Sequence, residues 1–189
     1  MNTKTITGLG LMTALVVVLQ IISNYVQIGP VSINLAIIPV VIGAIIYGPI
    51  CGLLLGLVDG AIILSAPSTA FFLSYNVWAT VLICLLKTGI AGLVAGFIPK
   101  IIKNDKVSAI VASLIVPLLN TGLFIVGCLI FFMPLLSENL GVVNLGGILT
   151  VLIGVNFFIE FGVLALLSPT IYYIYKVIKK KMVERRYED

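Results

Sequence analysis

The sequence predicts an all-α integral membrane protein whose single domain, residues 1–189, is a bundle of six transmembrane helices. Hydrophobic residues make up 61% of the chain and charged residues only 10%, whereas soluble domains carry about 25% charged residues. The mean hydropathy is +1.27. Six helices of about 20 residues need about 120 positions, so this chain has no room for a soluble domain as well. The composition therefore excludes a water-soluble protein, a disordered chain and a nucleic-acid-binding surface.

Six apolar runs, separated by turn signals, are the predicted helices. The first run, 6–28, ends at Gly29-Pro30, and the second, 33–47, ends at Gly48-Pro49, and both dipeptides favour turns. The second run and the third, 50–64, are each about 22 Å long at 1.5 Å per residue, shorter than the roughly 30 Å hydrocarbon core. They form either thin spans or a re-entrant hairpin. The later runs are 77–102, 107–133 and 147–178.

The basic residues predict the orientation of this bundle. One side, shared by both termini, the Gly48 turn and the loop around Asn104, holds ten of them, whereas the opposite loops hold none and carry Glu138. Cytoplasmic loops are enriched in Lys and Arg, so both termini are predicted to be cytoplasmic. No signal-peptide cleavage motif follows the first run, which is therefore interpreted as a retained helix. The ten residues are Lys4, Lys100, Lys103, Lys106, Lys176, Lys179, Lys180, Lys181, Arg185 and Arg186.

The residues that catalysis or metal binding needs are missing from the sequence. There is no histidine, the commonest metal ligand and general base. Cys51, Cys84 and Cys128 have no metal-site spacing and are predicted to be small buried hydrophobes. Lys87-Thr88 lacks the glycines of a phosphate-binding loop. We therefore expect neither an enzyme nor a bound cofactor or metal.

Glycines spaced by four residues predict close helix packing. Gly48, Gly52, Gly56 and Gly60 form one series, and Gly92 and Gly96 repeat the spacing in the fourth run. Small residues at this interval let two helix backbones approach closely, and packing inside the bundle is the favoured interpretation. Gly10 and Ala14 have the same spacing near the cytoplasmic end of the first run. Spacing alone favours internal packing for this pair too, with contact to a partner subunit as the alternative.

Lys87 and Glu160 lie near mid-depth in the fourth and sixth runs. A charge there costs about 2.5–3.5 kcal/mol on insertion scales, so each needs a reason. The two residues either form an ion pair inside the bundle or contact a polar ligand, and the sequence does not separate these interpretations. Asp59, in the third run, is either a pocket residue or the hydrogen-bond partner of a loop.

Other polar and aromatic residues extend this pattern to three segments. Asn120 and Thr121 lie in the fifth run, and Asn156 precedes Glu160 by one helical turn on the same face. Each is explained singly by an interhelical hydrogen bond, but together they indicate a shared interior pocket. Near the start of the fourth run lie aromatic and polar residues that serve either as interfacial anchors or as part of the pocket. These residues are Phe71, Phe72, Tyr75, Asn76 and Trp78, and the connections expected to cover the pocket are 29–34, 65–76 and 134–146.

A series of short motifs, in order along the whole chain, resembles the substrate-binding S components of energy-coupling factor (ECF) transporters. The motifs are Thr13-Ala14-Leu15-Val16, Ile28-Gly29-Pro30-Val31-Ser32-Ile33 with Ile38-Pro39, Tyr47-Gly48-Pro49-Ile50-Cys51-Gly52-Leu53, Lys87-Thr88-Gly89-Ile90-Ala91-Gly92 and Pro117-Leu118-Leu119-Asn120-Thr121-Gly122. These S components are six-helix proteins of about this size that capture vitamins in bacteria and archaea. The resemblance implies a multi-pass protein of the cell membrane that works with a coupling membrane subunit and two ATPase subunits.

The resemblance also implies the residues of the binding and docking sites. The substrate pocket would open outward under the first and third loops. A pair of small residues, Gly10-x-x-x-Ala14, stands where the family has A-x-x-x-A for docking on the coupling subunit, with glycine replacing the first alanine. The implied substrate-binding residues are Asn34, Tyr75, Asn76, Trp78, Lys87, Asn120, Asn156 and Glu160.

Within this family the pantothenate and riboflavin branches are most similar, and pantothenate is the leading substrate. The acidic stretch associated with riboflavin carriers is replaced by Val31-Ser32-Ile33-Asn34, and Lys87 suits a carboxylate. Riboflavin, folate, pyridoxine-type vitamins and cobalamin stay open. A self-sufficient oligomeric transporter or channel is the alternative, although the chain lacks inverted halves. A membrane enzyme of lipid or isoprenoid metabolism is disfavoured by the missing catalytic groups. Co-purification of this chain with ATPases would distinguish the family prediction from the oligomeric transporter or channel and from the membrane enzyme.

Overall fold

The computed structural model describes residues 3–25, 27–28 and 31–184, and almost all of them are helical. Two two-residue strands, β1 (Gln27–Ile28) and β2 (Val31–Ser32), pair antiparallel with Ile28 opposite Val31. One-turn π-helices, Cys128–Phe132 and Ile148–Ile153, join α6 to α7 and α8 to α9. The helices are α1 (Thr3–Tyr25), α2 (Ile37–Tyr47), α3 (Pro49–Ile63), α4 (Pro67–Tyr75), α5 (Val77–Ile101), α6 (Asp105–Gly127), α7 (Met133–Leu140), α8 (Leu145–Gly147) and α9 (Gly154–Glu184).

Four runs in the described part of the chain are long and apolar enough to cross a membrane. They are Ile6–Tyr25, Val77–Ile101, Asp105–Leu140 and Asn156–Lys181. Helices α3 and α4 bend by 82° at the break between them and together make a fifth candidate span. With 11 residues, α2 is about 16 Å long, too short to cross alone. An all-helical membrane protein is thus confirmed, while the count of six spans stays a prediction.

Two stretches predicted to be loops are helical instead. The connection 65–76 contains α4, and 134–146 contains most of α7. Each helix has a proline in its first turn, Pro67 and Pro134, where the missing N–H is harmless and the fixed φ favours the helix. In the other direction, the predicted run 33–47 becomes helical only at Ile37.

Glycines bring α3 and α5 into backbone contact, as their spacing predicts. A Cβ added at Gly52 would clash with the Gly92 carbonyl, and one at Gly56 would clash with the Thr88 carbonyl. No side chain fits at these two positions, so the two backbones fix each other's position there. The turn before α3 also needs glycine, because Gly48 has a φ of 94°.

Two hydrophobic clusters occupy opposite ends of the bundle. One includes Ile98, Ala109 and Tyr175, from the end of α5, the start of α6 and the late part of α9. Lys179 forms a salt bridge with Asp105 at the same end. The other cluster, around Phe72 and the first π-helix, is the aromatic cluster, which includes five phenylalanine rings. The three cysteines are free and buried, as predicted.

Candidate functional site

A cavity lies beside the aromatic cluster, between α1, the segment before α2, α3–α4, α5, α6 and α9. Its empty space, with the open mouth included, is about 780 Å³. Its wall combines phenylalanine rings with convergent polar groups. The rings are those of Phe72, Phe124, Phe132 and Phe157, and the polar lining residues are Gln20, Asn34, Ser68, Thr69, Thr80, Lys87, Asn120, Thr121, Asn156 and Glu160.

Five of the eight residues implied by the family resemblance line this cavity. Lys87 comes from α5, Asn120 from α6, and Asn156 and Glu160 from α9, while Asn34 belongs to the segment before α2. Lys87 lies near the middle of its helix, and the tight α3–α5 packing sets the position of that helix. Residues far apart in sequence therefore meet because the helices that carry them pack side by side.

Tyr75, Asn76 and Trp78 are not among the residues that line the cavity. Asn76 caps α5, where its side-chain oxygen accepts a hydrogen bond from the Ala79 N–H at 3.0 Å. Trp78 is 86% exposed and Tyr75 46% exposed. Exposed aromatic residues at a helix end are typical of membrane-interface anchors, which is the other interpretation that the sequence offered for them.

Lys87 has no carboxylate partner among the described residues, since the structure describes no salt bridge between Lys87 and Glu160. Its ammonium lies over the Phe124 ring, 5.1 Å from the centroid, a cation–π contact. The described residues thus contain no direct salt bridge between Lys87 and Glu160. The Lys87 charge borders the cavity, lies over an aromatic face and attracts the Glu160 and Asp59 carboxylates from a longer distance.

Glu160 and Asp59 instead bind the segment that leads into α2. The backbone N–H of Asn34 donates to Glu160 Oε1 at 2.8 Å, and Asn34 Nδ2 donates to Asp59 Oδ2 at 2.8 Å. All three residues are buried. Of the two roles that the sequence left open for Asp59, the structure thus shows the hydrogen-bond partner of a connecting segment.

Gln20 on α1 is a lining residue that the sequence analysis missed. It is 1% exposed, and its Nε2 donates to Asn24 Oδ1 at 2.9 Å. Its Oε1 accepts no hydrogen bond from the described residues, and the same is true of Asn120 Oδ1. Buried acceptors are normally satisfied, so these two oxygens are suited to hydrogen-bond donors on a ligand. A glutamine inside an apolar run was a signal available in the sequence.

Gly10 and Ala14 lie on an exposed face of α1. A Cβ added at Gly10 would meet no other described group within 4 Å, whereas one at Gly8 would clash with the Tyr47 ring. The internal packing that spacing alone favours for Gly10 is therefore wrong. The pair forms an open, small-residue surface on the first helix.

Comparison with known families matches residues 4–172 to a family described as the ECF transporter, substrate-specific component. The matched range includes every cavity-lining residue and the Gly10–Ala14 pair. No curated protein and no solved structure matches the chain.

Proposed function

The chain belongs to the substrate-specific components of ECF transporters, and from this premise we propose that it binds a vitamin in the cavity beside Lys87 and presents it for import. Components of this family are substrate-binding membrane subunits rather than enzymes. The observation that carries the proposal is the cavity itself, in which the Lys87 ammonium, buried acceptors and aromatic rings surround one space.

The chemistry of the cavity supports a carboxylate-bearing vitamin, with pantothenate as the leading substrate. A carboxylate at Lys87 would gain a charge-assisted hydrogen bond that no described acid already occupies. Hydroxyl and amide N–H groups elsewhere on pantothenate would satisfy Gln20 Oε1 and Asn120 Oδ1, which accept from no described residue. Asn156 lines the same wall. The phenylalanine rings would pack against the apolar part of the ligand.

The energy for import would come from other chains. We propose a coupling membrane subunit and two ATPase subunits as partners, with Gly10 and Ala14 as the surface that meets the coupling subunit. The proposed setting is the cell membrane of a bacterium or archaeon, with six spans and both termini cytoplasmic. The salt bridge between Asp105 and Lys179 places the start of α6 and the late part of α9 at one end of the bundle, as this topology requires.

The test is native mass spectrometry of the purified protein, followed by isothermal titration with a vitamin panel. The panel contains pantothenate, riboflavin, folate, pyridoxine and cobalamin. We expect a retained ligand with the mass of pantothenate, and heat of binding for pantothenate above the other four. Binding of another vitamin would contradict pantothenate as the substrate but would leave the proposed function, vitamin binding for import, in place. Binding of none, or vitamin uptake by proteoliposomes that contain this chain alone, would contradict the proposed function.

A further inference from the structure

The segment 33–36, between β2 and α2, has irregular backbone inside the protein, because α2 becomes helical only at Ile37. Ile33, Asn34 and Ala36 are buried. Within a membrane protein, irregular backbone is tolerated only where its N–H and C=O groups find partners inside the protein. The partners of segment 33–36 therefore explain how it is held.

Side chains from three helices supply those partners. Glu160 on α9 accepts the Asn34 N–H at 2.8 Å, and Ser23 on α1 accepts the Leu35 N–H at 2.9 Å. The Asn34 side chain adds two links, because its Nδ2 donates to Asp59 on α3 at 2.8 Å and its Oδ1 accepts the Ile37 N–H at 3.2 Å. Asn34 is thus tied to α3, to α9 and to the first turn of α2.

We infer that Glu160 and Asp59 are positioning residues, which fix Asn34 and segment 33–36 as a wall of the cavity. In this role neither carboxylate is the charged group that recognises the ligand. A carboxylate in a membrane span needs a reason, and for both residues one carboxylate oxygen accepts a hydrogen bond from Asn34, whereas Asp59 Oδ1 accepts none from the described residues. The Glu160 oxygen that accepts the Asn34 N–H is occupied before any ligand arrives. Lys87, which has no such partner, is then the charge that the ligand meets. This last consequence rests on the proposed function, whereas the positioning role does not.

Isosteric and apolar substitutions separate the two roles. Glu160→Gln and Asp59→Asn keep an oxygen that can accept the same hydrogen bond, whereas Glu160→Leu and Asp59→Leu remove it. Thr13→Val is the matched control, because Thr13 does not line the cavity and its hydroxyl donates to the Leu9 carbonyl of its own helix at 2.8 Å. All variants are made in the full chain and purified in one detergent.

The first readout is hydrogen–deuterium exchange of the amides of residues 33–37, without ligand. We expect Glu160→Leu to speed exchange at Asn34 about tenfold or more, because a hydrogen bond to a charged acceptor is lost. Asp59→Leu should act on the same amides. The Gln, Asn and Val variants should exchange like the wild type, and amides in α6 report that the bundle stays folded.

Two results of this readout would overturn the inference. One is wild-type exchange of residues 33–37 in both leucine variants, and the other is exchange in Glu160→Gln as fast as in Glu160→Leu. Should the leucine variants fail to fold, the wild type alone decides, because the Asn34 and Leu35 amides must be protected from exchange. Exchange there at the rate of an unstructured peptide would also overturn the inference.

The second readout is pantothenate affinity by titration. Glu160→Gln should stay within about twofold of the wild type, and Glu160→Leu should weaken binding about tenfold, because the cavity wall is no longer preorganised. Equal losses in both variants with unchanged exchange would make Glu160 a ligand contact and overturn the inference. If the wild type binds no pantothenate, the substrate proposal fails, while the exchange readout still decides the positioning role.

Discussion

At the scale of single residues, the binding chemistry of the cavity depends on which groups stabilise each charge inside the bundle. Glu160, Asp59 and Lys87 lie inside their helices, away from the helix ends, and their partners differ. Glu160 and Asp59 accept hydrogen bonds from Asn34, whereas Lys87 lies over an aromatic ring. A cation–π contact stabilises a charge by about 0.5–2 kcal/mol, less than a well-formed ion pair. Lys87 therefore keeps the capacity to bind an anion.

Lys87→Met should weaken pantothenate binding about tenfold to a hundredfold, because a charge-assisted hydrogen bond is lost. The ligand-free protein should melt at the wild-type temperature or above it. Removing one partner of a buried ion pair costs about 3–5 kcal/mol, but the structure describes no such pair for Lys87. Isothermal titration and thermal unfolding of the ligand-free protein measure the two effects.

Lys100→Met is the matched control for this prediction. Lys100 lies near the end of the same helix, its ammonium 5.3 Å from the centroid of the Phe97 ring, and it does not line the cavity. Its loss should leave the affinity unchanged. The ligand-contact role of Lys87 is refuted by an unchanged affinity together with a large fall in melting temperature.

The sequence indicated the polar residues of the site but not how they pair. Lys87, Asn120, Asn156 and Glu160 stand out because polar groups are rare in apolar runs. Their partners depend on where other elements pass, and periodicity does not give that information. The bond between Asn34 and Glu160 joins positions far apart in sequence and forms because α2 starts late. Charge alone therefore could not predict that Glu160 accepts a hydrogen bond from the Asn34 backbone.

At the scale of helices and strands, the same spacing of small residues has two outcomes. Gly52 and Gly56 face the backbone of α5, whereas Gly10 faces no described neighbour. A four-residue repeat predicts that small residues share one side of a helix. It does not predict whether another helix packs there, because that depends on the arrangement of the whole bundle. Hydropathy likewise located the long apolar helices but missed α4, whose proline and hydroxyl residues are also typical of loops.

Gly56→Ala should lower the free energy of unfolding by about 1–3 kcal/mol, the usual cost of overpacking. The added methyl group would meet the Thr88 carbonyl, and neither backbone can move without disturbing the α3–α5 contact. Because this contact sets the position of α5, and Lys87 with it, ligand affinity should also fall. Thermal unfolding and titration in the same detergent give both values.

Gly122→Ala provides the comparison for this substitution. Gly122 lies inside α6, and a Cβ there would meet no other described group within 4 Å. Alanine is the better helix former by about 1 kcal/mol, so this variant should be as stable as the wild type or more stable. If both alanine variants behave alike, close backbone packing at Gly56 is not what holds α3 against α5.

At the scale of the whole molecule, the proposed binding site and the proposed docking surface are separate. The cavity lies beside the aromatic cluster at one end of the bundle. Gly10 and Ala14 lie on the outer face of α1, in its first half, and neither residue lines the cavity. A substrate-binding subunit that depends on ATPases in partner chains needs such a separation, because the ligand must stay bound in the cavity while the other surface contacts the partner subunit.

Gly10→Trp combined with Ala14→Trp should therefore abolish ATP-driven uptake and leave vitamin binding intact. Two indole rings on an exposed small-residue face would prevent a partner helix from approaching closely, while every group that lines the cavity is unchanged. Titration of the isolated chain measures binding. Uptake of radiolabelled pantothenate into proteoliposomes that contain the coupling subunit and both ATPases measures transport.

Ile22→Trp is the matched control, since it adds one indole to an exposed position of the same helix about eighteen ångströms along the axis from Gly10. This variant should bind and transport like the wild type, because the added ring faces lipid and not the docking surface. Normal transport by the double variant would show that the partner docks elsewhere. Loss of binding by the double variant would show instead that the face of Gly10 and Ala14 supports the fold of the isolated chain, and that binding and docking are not separated on α1.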